Sequence, residues 1–107
     1  MKTSTDADLL KCLQDWYVSH CDGGWEHTYG ISIDTLDNPG WHLKVELTDT
    51  DLSDRSFDEI IFDGEDKKND WYRCFLRNRD FVGYCGSTRL NDVIAIFLNW
   101  ADRVVVD

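Results

Sequence analysis

The 107-residue chain carries 21 acidic and 11 basic side chains, which gives a formal net charge of −10. A chain of this length can bury its own core, so we expect residues 1–107 to form a single domain. The negative charge argues against direct binding to nucleic acid, whose phosphates require a basic surface. No apolar run approaches the about 20 residues of a membrane helix, and the polar N-terminus does not resemble a signal peptide. We therefore expect a soluble, cytoplasmic protein with no membrane partner.

The first predicted element is a helix at residues 6–20. Thr5 or Asp6 is expected to cap its free amide groups, and residues 21–24 end it because consecutive glycines supply the left-handed conformations of a helix exit. Apolar side chains recur at helical spacing and predict one buried stripe. Its members are Leu9, Leu10, Leu13, Trp16 and Tyr17.

Two strands are predicted next, at residues 28–36 and 41–48. In both, apolar and polar residues alternate, which indicates one face on a core and the other toward solvent. Residues 37–40 between them have the sequence Asp-Asn-Pro-Gly. This sequence favours a tight turn, because Asp and Asn bond back to the backbone, Pro presets φ and Gly accepts a positive φ. We expect an antiparallel hairpin.

Three further strands are predicted, at residues 57–63, 71–77 and 81–85. A loop at residues 64–69 joins the first two, and residues 78–80 separate the second from the third.

The last predicted element is a helix at residues 88–103, capped by Ser87 or Thr88. Its apolar side chains follow helical spacing almost without a break. They are Leu90, Val93, Ile94, Phe97, Trp100, Ala101 and Val104. The whole pattern predicts an α+β fold, in which an antiparallel sheet of four to five strands carries the N-terminal and C-terminal helices on one face.

Residues 21–41 concentrate rare residue types and could carry chemistry. Glu26 with His27 could form an acid–base pair, and Cys21 with His27 could form a nucleophile and its base. However, Cys21 lies at a predicted helix C-terminus in an acidic protein, which disfavours a thiolate, and no other motif completes a catalytic site. We interpret the segment as structural or as a contact for a partner, and we predict neither enzyme activity nor a cofactor.

The four cysteines are predicted to be reduced, since the chain shows no signal sequence and its core does not require disulfides. The sequence contains no C-x-x-C pair, which weakens the case for a zinc site. A site made of His20, Cys21 and His27 remains conceivable, although residues 20 and 21 point in different directions in regular structure.

Residues 49–70 form an acidic segment with nine carboxylates against three basic side chains. Two interpretations stay open. The segment is either a solvated face that keeps the protein soluble, or a negative surface that steers a basic protein partner.

Several segments together resemble the immunity protein 53 family of bacterial polymorphic toxin systems, over residues 9–100. The resemblance is carried by LQDWY (13–17), CDGGWEHTYGISIDTLDNPGW (21–41), Asp70 with Trp71, Cys74, FVGYCG (81–86) and FLNW (97–100). The chain departs from the family at Gly24, where an acidic residue is more usual, so no role is assigned to a carboxylate there.

The resemblance implies a small cytoplasmic antidote that binds and neutralises a cognate toxin. The expected partner is a basic toxin protein, for example a nuclease. Trp25, Trp41 and Trp71 are candidate aromatic anchors, although packing in the core is the favoured role for each. The candidate partner-binding residues are Asp22, Trp25, Glu26, His27, Asp37, Asn38, Trp41, Asp58, Glu59, Asp63, Glu65 and Asp66. The alternative is a small enzyme or a metal-binding module that uses Cys21, Glu26 and His27.

Overall fold

The computed structural model describes residues 6–101, and the side chains from residue 8 onward. It contains three helices and five strands within that range. They are α1 Asp6–His20, α2 Trp25–Thr28, β1 Ile31–Leu36, β2 Gly40–Glu46, β3 Ile60–Asp63, β4 Trp71–Arg77, β5 Asp80–Cys85 and α3 Leu90–Trp100.

The five strands form one antiparallel sheet in the order β1-β2-β5-β4-β3. The hairpins β1–β2, β3–β4 and β4–β5 follow the chain, whereas the segment at residues 47–59 carries it from β2 to the far edge. The α+β prediction is confirmed, and the sheet has five strands. β1 and β3 are its edges, so β5, the last strand to be synthesised, lies at the centre.

Both helices pack on the same face of the sheet, as predicted. Trp16 of α1 contacts Phe97 of α3 edge-on, with ring centroids 5.2 Å apart. Gly83 in the central strand lets α3 approach, because a Cβ at that position would lie 2.3 Å from Cγ1 of Val93. The segment at residues 47–59 closes the same face through Leu47 and Leu52, which are completely buried. The core therefore lies between the sheet and these three elements.

The opposite face, which we call the open face, carries none of the helices of residues 6–101. Residues that pair directly across antiparallel strands share a face, so the register assigns its members. They are Ser32, Asp34, Leu36, His42, Lys44, Glu46, Ile61, Asp63, Trp71, Arg73, Phe75, Arg77, Asp80, Val82 and Tyr84.

The bounds of α1 and β4 agree with the prediction, but those of the other four strands do not, and β5 begins one residue early, at Asp80. Residues 28–30 are not part of β1, because the chain first makes a helical turn in which the Tyr29 amide bonds the Trp25 carbonyl. β2 ends before Thr48, where a turn closes with the Thr50 amide on the Leu47 carbonyl. β3 begins at Ile60, since the ring of Phe57 packs against α3 instead of joining the sheet.

The helix ends also differ from the expectation. α3 starts at Leu90 without a side-chain cap. Ser87 and Thr88, the predicted caps, bond instead to the side chain and the carbonyl of Asn69. Thr5, residues 102–103 and Val104 lie outside the described residues. In the buried stripe of α1, Leu10 and Tyr17 are 49% and 37% exposed, so the core side of this helix is narrower than predicted.

Candidate functional site

The connection between α1 and β1 is held by two carboxylates. Oδ1 of Asp22 accepts hydrogen bonds from the amides of Gly24 and Trp25 at 2.9 and 3.0 Å. The carboxylate of Glu26 accepts from the amides of Asp22 and Gly23 at 2.9 and 2.8 Å. Each carboxylate therefore accepts hydrogen bonds from backbone amides at the start of α2, in the manner of a capping box.

These hydrogen bonds stabilise the ionised carboxylates. The backbone amides of Trp25 and Gly24 lower the pKa of Asp22. The pKa of Glu26 is lowered by its own amide and by the amides of Asp22 and Gly23. A carboxylate with a lowered pKa is a weaker base, so the arrangement does not favour Glu26 as a general base.

Trp25 belongs to the core. Its side chain is 5% exposed, and its indole Nε1 donates to the carbonyl of Thr48 at 3.0 Å. Its ring meets the ring of Trp16 edge-on at 5.9 Å. An interface anchor must present its ring to the partner, and in this conformation the ring of Trp25 faces the protein interior.

The conceivable zinc ligands are engaged otherwise. The imidazole nitrogens of His20 lie 2.9 Å from the Trp16 carbonyl and 3.0 Å from Oδ1 of Asp51. The Cys21 thiol donates to the Tyr17 carbonyl at 3.3 Å. His27 is exposed on α2. Over residues 6–101, no group of three or more His, Cys, Asp or Glu side chains is arranged to hold a metal ion.

All four cysteines are free thiols, as the sequence predicts. Cys74 and Cys85 are buried under the helices, and burial raises the pKa of Cys74 to about 12 and the pKa of Cys85 to about 11. These two thiols stay protonated at neutral pH and are inert.

The remaining predicted partner-binding residues separate to opposite ends of the sheet. One end, the hairpin end, consists of the β1–β2 turn at residues 37–39 and the β3–β4 loop at residues 64–70. It holds Asp37, Asn38, Asp63, Glu65 and Asp66. The other end, the α2 end, is where the Glu46 amide bonds the Gly30 carbonyl beside α2. It holds Asp22, Glu26 and His27, and the chain approaches β3 from that direction through Asp58 and Glu59.

Some of these acidic side chains have structural partners and others do not. The Asp66 carboxylate accepts from the amides of Lys68 and Asn69 at 3.0 and 3.3 Å, which shapes the β3–β4 loop and lowers the pKa of Asp66. Asp63 pairs with Arg73 at 2.9 Å. Four exposed carboxylates make no hydrogen bond or ion pair with any described residue. They are Asp37, Asp58, Glu59 and Glu65.

Trp41 lies on the helix side of the hairpin end. It is half-buried, and its indole Nε1 donates to the carbonyl of Ser87 at 3.1 Å. It therefore fixes the start of β2 against the segment that leads into α3.

A polar pocket at the hairpin end joins three predicted contact residues, Asn38, Asp63 and Trp71, to others that the prediction omitted. Its volume is 320 Å³, and it borders the open face. The lining residues are Asn38, Asp63, Lys67, Lys68, Trp71 and Arg73. Arg73 and Arg77 occupy alternate positions along β4, but the pocket requires the β1–β2 turn and the β3–β4 loop to meet, and local sequence does not show this.

A scan against protein-family models matches residues 10–102 to the family described as Immunity protein 53. No curated protein and no solved structure gives a significant match. Among residues 6–101, no helix is both long enough and apolar enough to cross a bilayer. Since the matched region spans most of the chain and contains the aromatic segments that carried the resemblance, the protein belongs to the Immunity protein 53 family.

Proposed function

We propose that this protein is a cytoplasmic bacterial antidote that binds the toxin of a polymorphic toxin system and neutralises it in a stoichiometric complex. Membership of an immunity protein family is the observation that carries the proposal. The toxin is a basic protein, such as a nuclease, and the complex blocks its access to substrate.

The local geometry supports binding over catalysis. The Cys21 thiol bonds to a helix carbonyl, and Glu26 holds two backbone amides. His27 makes no hydrogen bond with the described residues that would orient it as a base. A small enzyme would need these three groups to converge on a reacting atom, with a nucleophile and base within hydrogen-bond reach.

The charge distribution supports rapid capture of a basic partner. The net charge of −10 creates a negative field around the protein. Because Asp37, Asp58, Glu59 and Glu65 have no internal partner among the described residues, their charges act on solvent and on approaching molecules. Such a field raises the association rate constant, and salt screens it.

The test is co-expression with the toxin encoded beside this gene, followed by titration of the purified proteins. We expect rescue of growth, a one-to-one complex, and an association rate that falls steeply as the salt concentration rises from about 50 to 500 mM. The absence of both rescue and binding would refute the immunity function. An association rate independent of salt would remove charge steering and leave the immunity function intact.

A further inference from the structure

The open face carries a connected group of rings and guanidinium groups. The imidazole of His42 stacks on the ring of Tyr84, with centroids 4.7 Å apart and planes inclined by 13°. Tyr84 in turn lies 6.1 Å from Phe75. The guanidinium of Arg77 lies 5.1 Å above the Phe75 ring, and that of Arg73 lies 5.7 Å above the Trp71 ring. These contacts hold the side chains in place before any partner arrives.

This group is accessible to a partner. The rings of Trp71, Phe75 and Tyr84 are partly exposed. Ile61 of the edge strand β3 is 60% exposed beside Arg73. Trp, Tyr and Arg are the residue types that dominate the energetics of protein interfaces, and restrained side chains lose little entropy on binding.

The charges of the protein are distributed unevenly between this surface and the rest. The open face and its pocket hold five of the nine lysines and arginines of residues 6–101, but four of the nineteen carboxylates. The five cations are Lys44, Lys67, Lys68, Arg73 and Arg77. The centre of this surface is therefore close to neutral or cationic, while unpaired carboxylates of Asp37, Glu65, Asp58 and Glu59 lie around it.

We propose that the open face is the surface that contacts the toxin, and that the toxin presents carboxylates and apolar groups surrounded by basic residues. This inference rests on the proposed immunity function and adds the location and chemistry of the contact. The cations of β4 and of the pocket meet the carboxylates of the toxin, the rings meet its apolar groups, and the outer carboxylates meet its basic rim. Charges arranged in this complementary way add specificity as well as speed.

A single-stranded RNA is a poorer match for the same surface. Aromatic rings and cations do bind single strands by stacking and by phosphate contacts. However, four carboxylates share this face, and the whole protein carries a charge of −10. Both features repel a phosphate chain.

The test compares substitutions on the open face with matched substitutions on α1, which lies on the other side of the sheet. Arg77→Glu is matched by Lys11→Glu, because both reverse one charge and the side chain of Lys11 is 72% exposed. Phe75→Ala is matched by Leu10→Ala. Ile61→Glu serves as a further open-face variant, because the 60% exposure of Ile61 lets the fold accommodate a charged side chain. Urea unfolding establishes that each variant is folded.

Binding is measured with the purified product of the adjacent toxin gene. We expect Arg77→Glu, Phe75→Ala and Ile61→Glu to raise Kd by about tenfold or more, with Arg77→Lys near the wild-type value, and both α1 variants to stay within about twofold. If the folded open-face variants bind the toxin as tightly as the wild-type protein does, the assignment of the open face is overturned and the immunity function stands. Binding of single-stranded RNA to the toxin-free protein that is weakened by Arg77→Glu would also overturn the assignment. Wild-type protein that does not bind at all would refute the immunity function itself.

Discussion

The indole Nε1 of Trp25 donates to the carbonyl of Thr48 at 3.0 Å and so joins the short helix α2 to the segment that leaves β2. This bond connects residues 23 positions apart in the chain. It closes the α2 end of the core next to Trp16, and it explains why Trp25 is buried in a segment that otherwise faces solvent.

Replacing Trp25 should therefore lower the stability of the fold. We expect Trp25→Ala to reduce the free energy of unfolding by about 3–5 kcal/mol, since it opens a cavity and removes a hydrogen bond. Trp25→Phe keeps part of the ring, and we expect a loss of about 2 kcal/mol. Urea unfolding followed by circular dichroism measures both. His27→Ala on the exposed side of α2 is the control. A stable Trp25→Ala variant with weakened toxin binding would show that Trp25 is an interface residue.

Because of the carboxylates of Asp22 and Glu26, the free energy of unfolding should fall as the pH becomes acidic. Both pKa values are lowered in the folded state, so the unfolded chain takes up protons first as the pH falls. The stabilisation is present above the unfolded-state pKa values and is lost as the pH falls from about 5 toward 2. We expect the double variant Asp22→Asn with Glu26→Gln to show a shallower fall in unfolding midpoint between these pH values. Asp37→Asn, whose carboxylate bonds no described residue, should keep the wild-type slope; equal slopes in all three proteins would contradict this prediction.

Gly40 should tolerate no side chain. Its φ is +155°, and a Cβ would lie 2.3 Å from the carbonyl oxygen of Cys85 in the neighbouring strand. We expect Gly40→Ala to lower the free energy of unfolding by at least about 2 kcal/mol, and a β-branched residue to do more damage. Gly30→Ala is the matched control, because a Cβ there meets no atom within 4 Å. Equal melting temperatures for the two variants would refute the requirement for glycine at position 40.

Arg79 occupies a turn position that suits glycine better. Asn78 and Arg79 join β4 to β5 with φ values of 53° and 68°, the conformation of a two-residue type I′ hairpin turn. Asn adopts this left-handed conformation at little energetic cost, whereas the Cβ of Arg79 makes it sterically unfavourable. We expect Arg79→Gly to raise the free energy of unfolding by about 1 kcal/mol. Arg77→Gly, one pair inside the strand, should lower it. Thermal unfolding of both variants checks the prediction, and a destabilised Arg79→Gly would show that the arginine side chain matters more than its backbone strain.

Much of the fold was predictable from local pattern. Helix α1 and strand β4 were predicted with the observed bounds, because periodicity and the flanking turn residues agree there. The missed start of β3 has a long-range cause, whereas the missed ends of β1 and β2 come from local turns. The ring of Phe57 packs on Phe81 and Trp100, at centroid distances of 5.4 Å to each, and this contact delays the start of β3.

The candidate site was less predictable than the fold. Among the predicted residues, Asn38, Asp63 and Trp71 line one pocket. Trp25 lies in the core, and Asp22 and Glu26 hold a turn. The rare and charged residues stand out in the sequence as candidate contacts. Local sequence does not distinguish a carboxylate that caps backbone amides from one that faces a partner. That difference depends on which amides lie within hydrogen-bond reach in the folded chain.

The family, the α+β class, the alternation within β1 and β2 and the negative charge follow from composition and from patterns along the chain. The position of β5 between β2 and β4, which brings His42, Tyr84 and Phe75 together on the open face, emerges only in the folded protein. Alternation shows which residues of one strand share a face, but it does not show which strands are neighbours. Strand order is set by the crossing of residues 47–59 and by the packing of both helices on one side of the sheet.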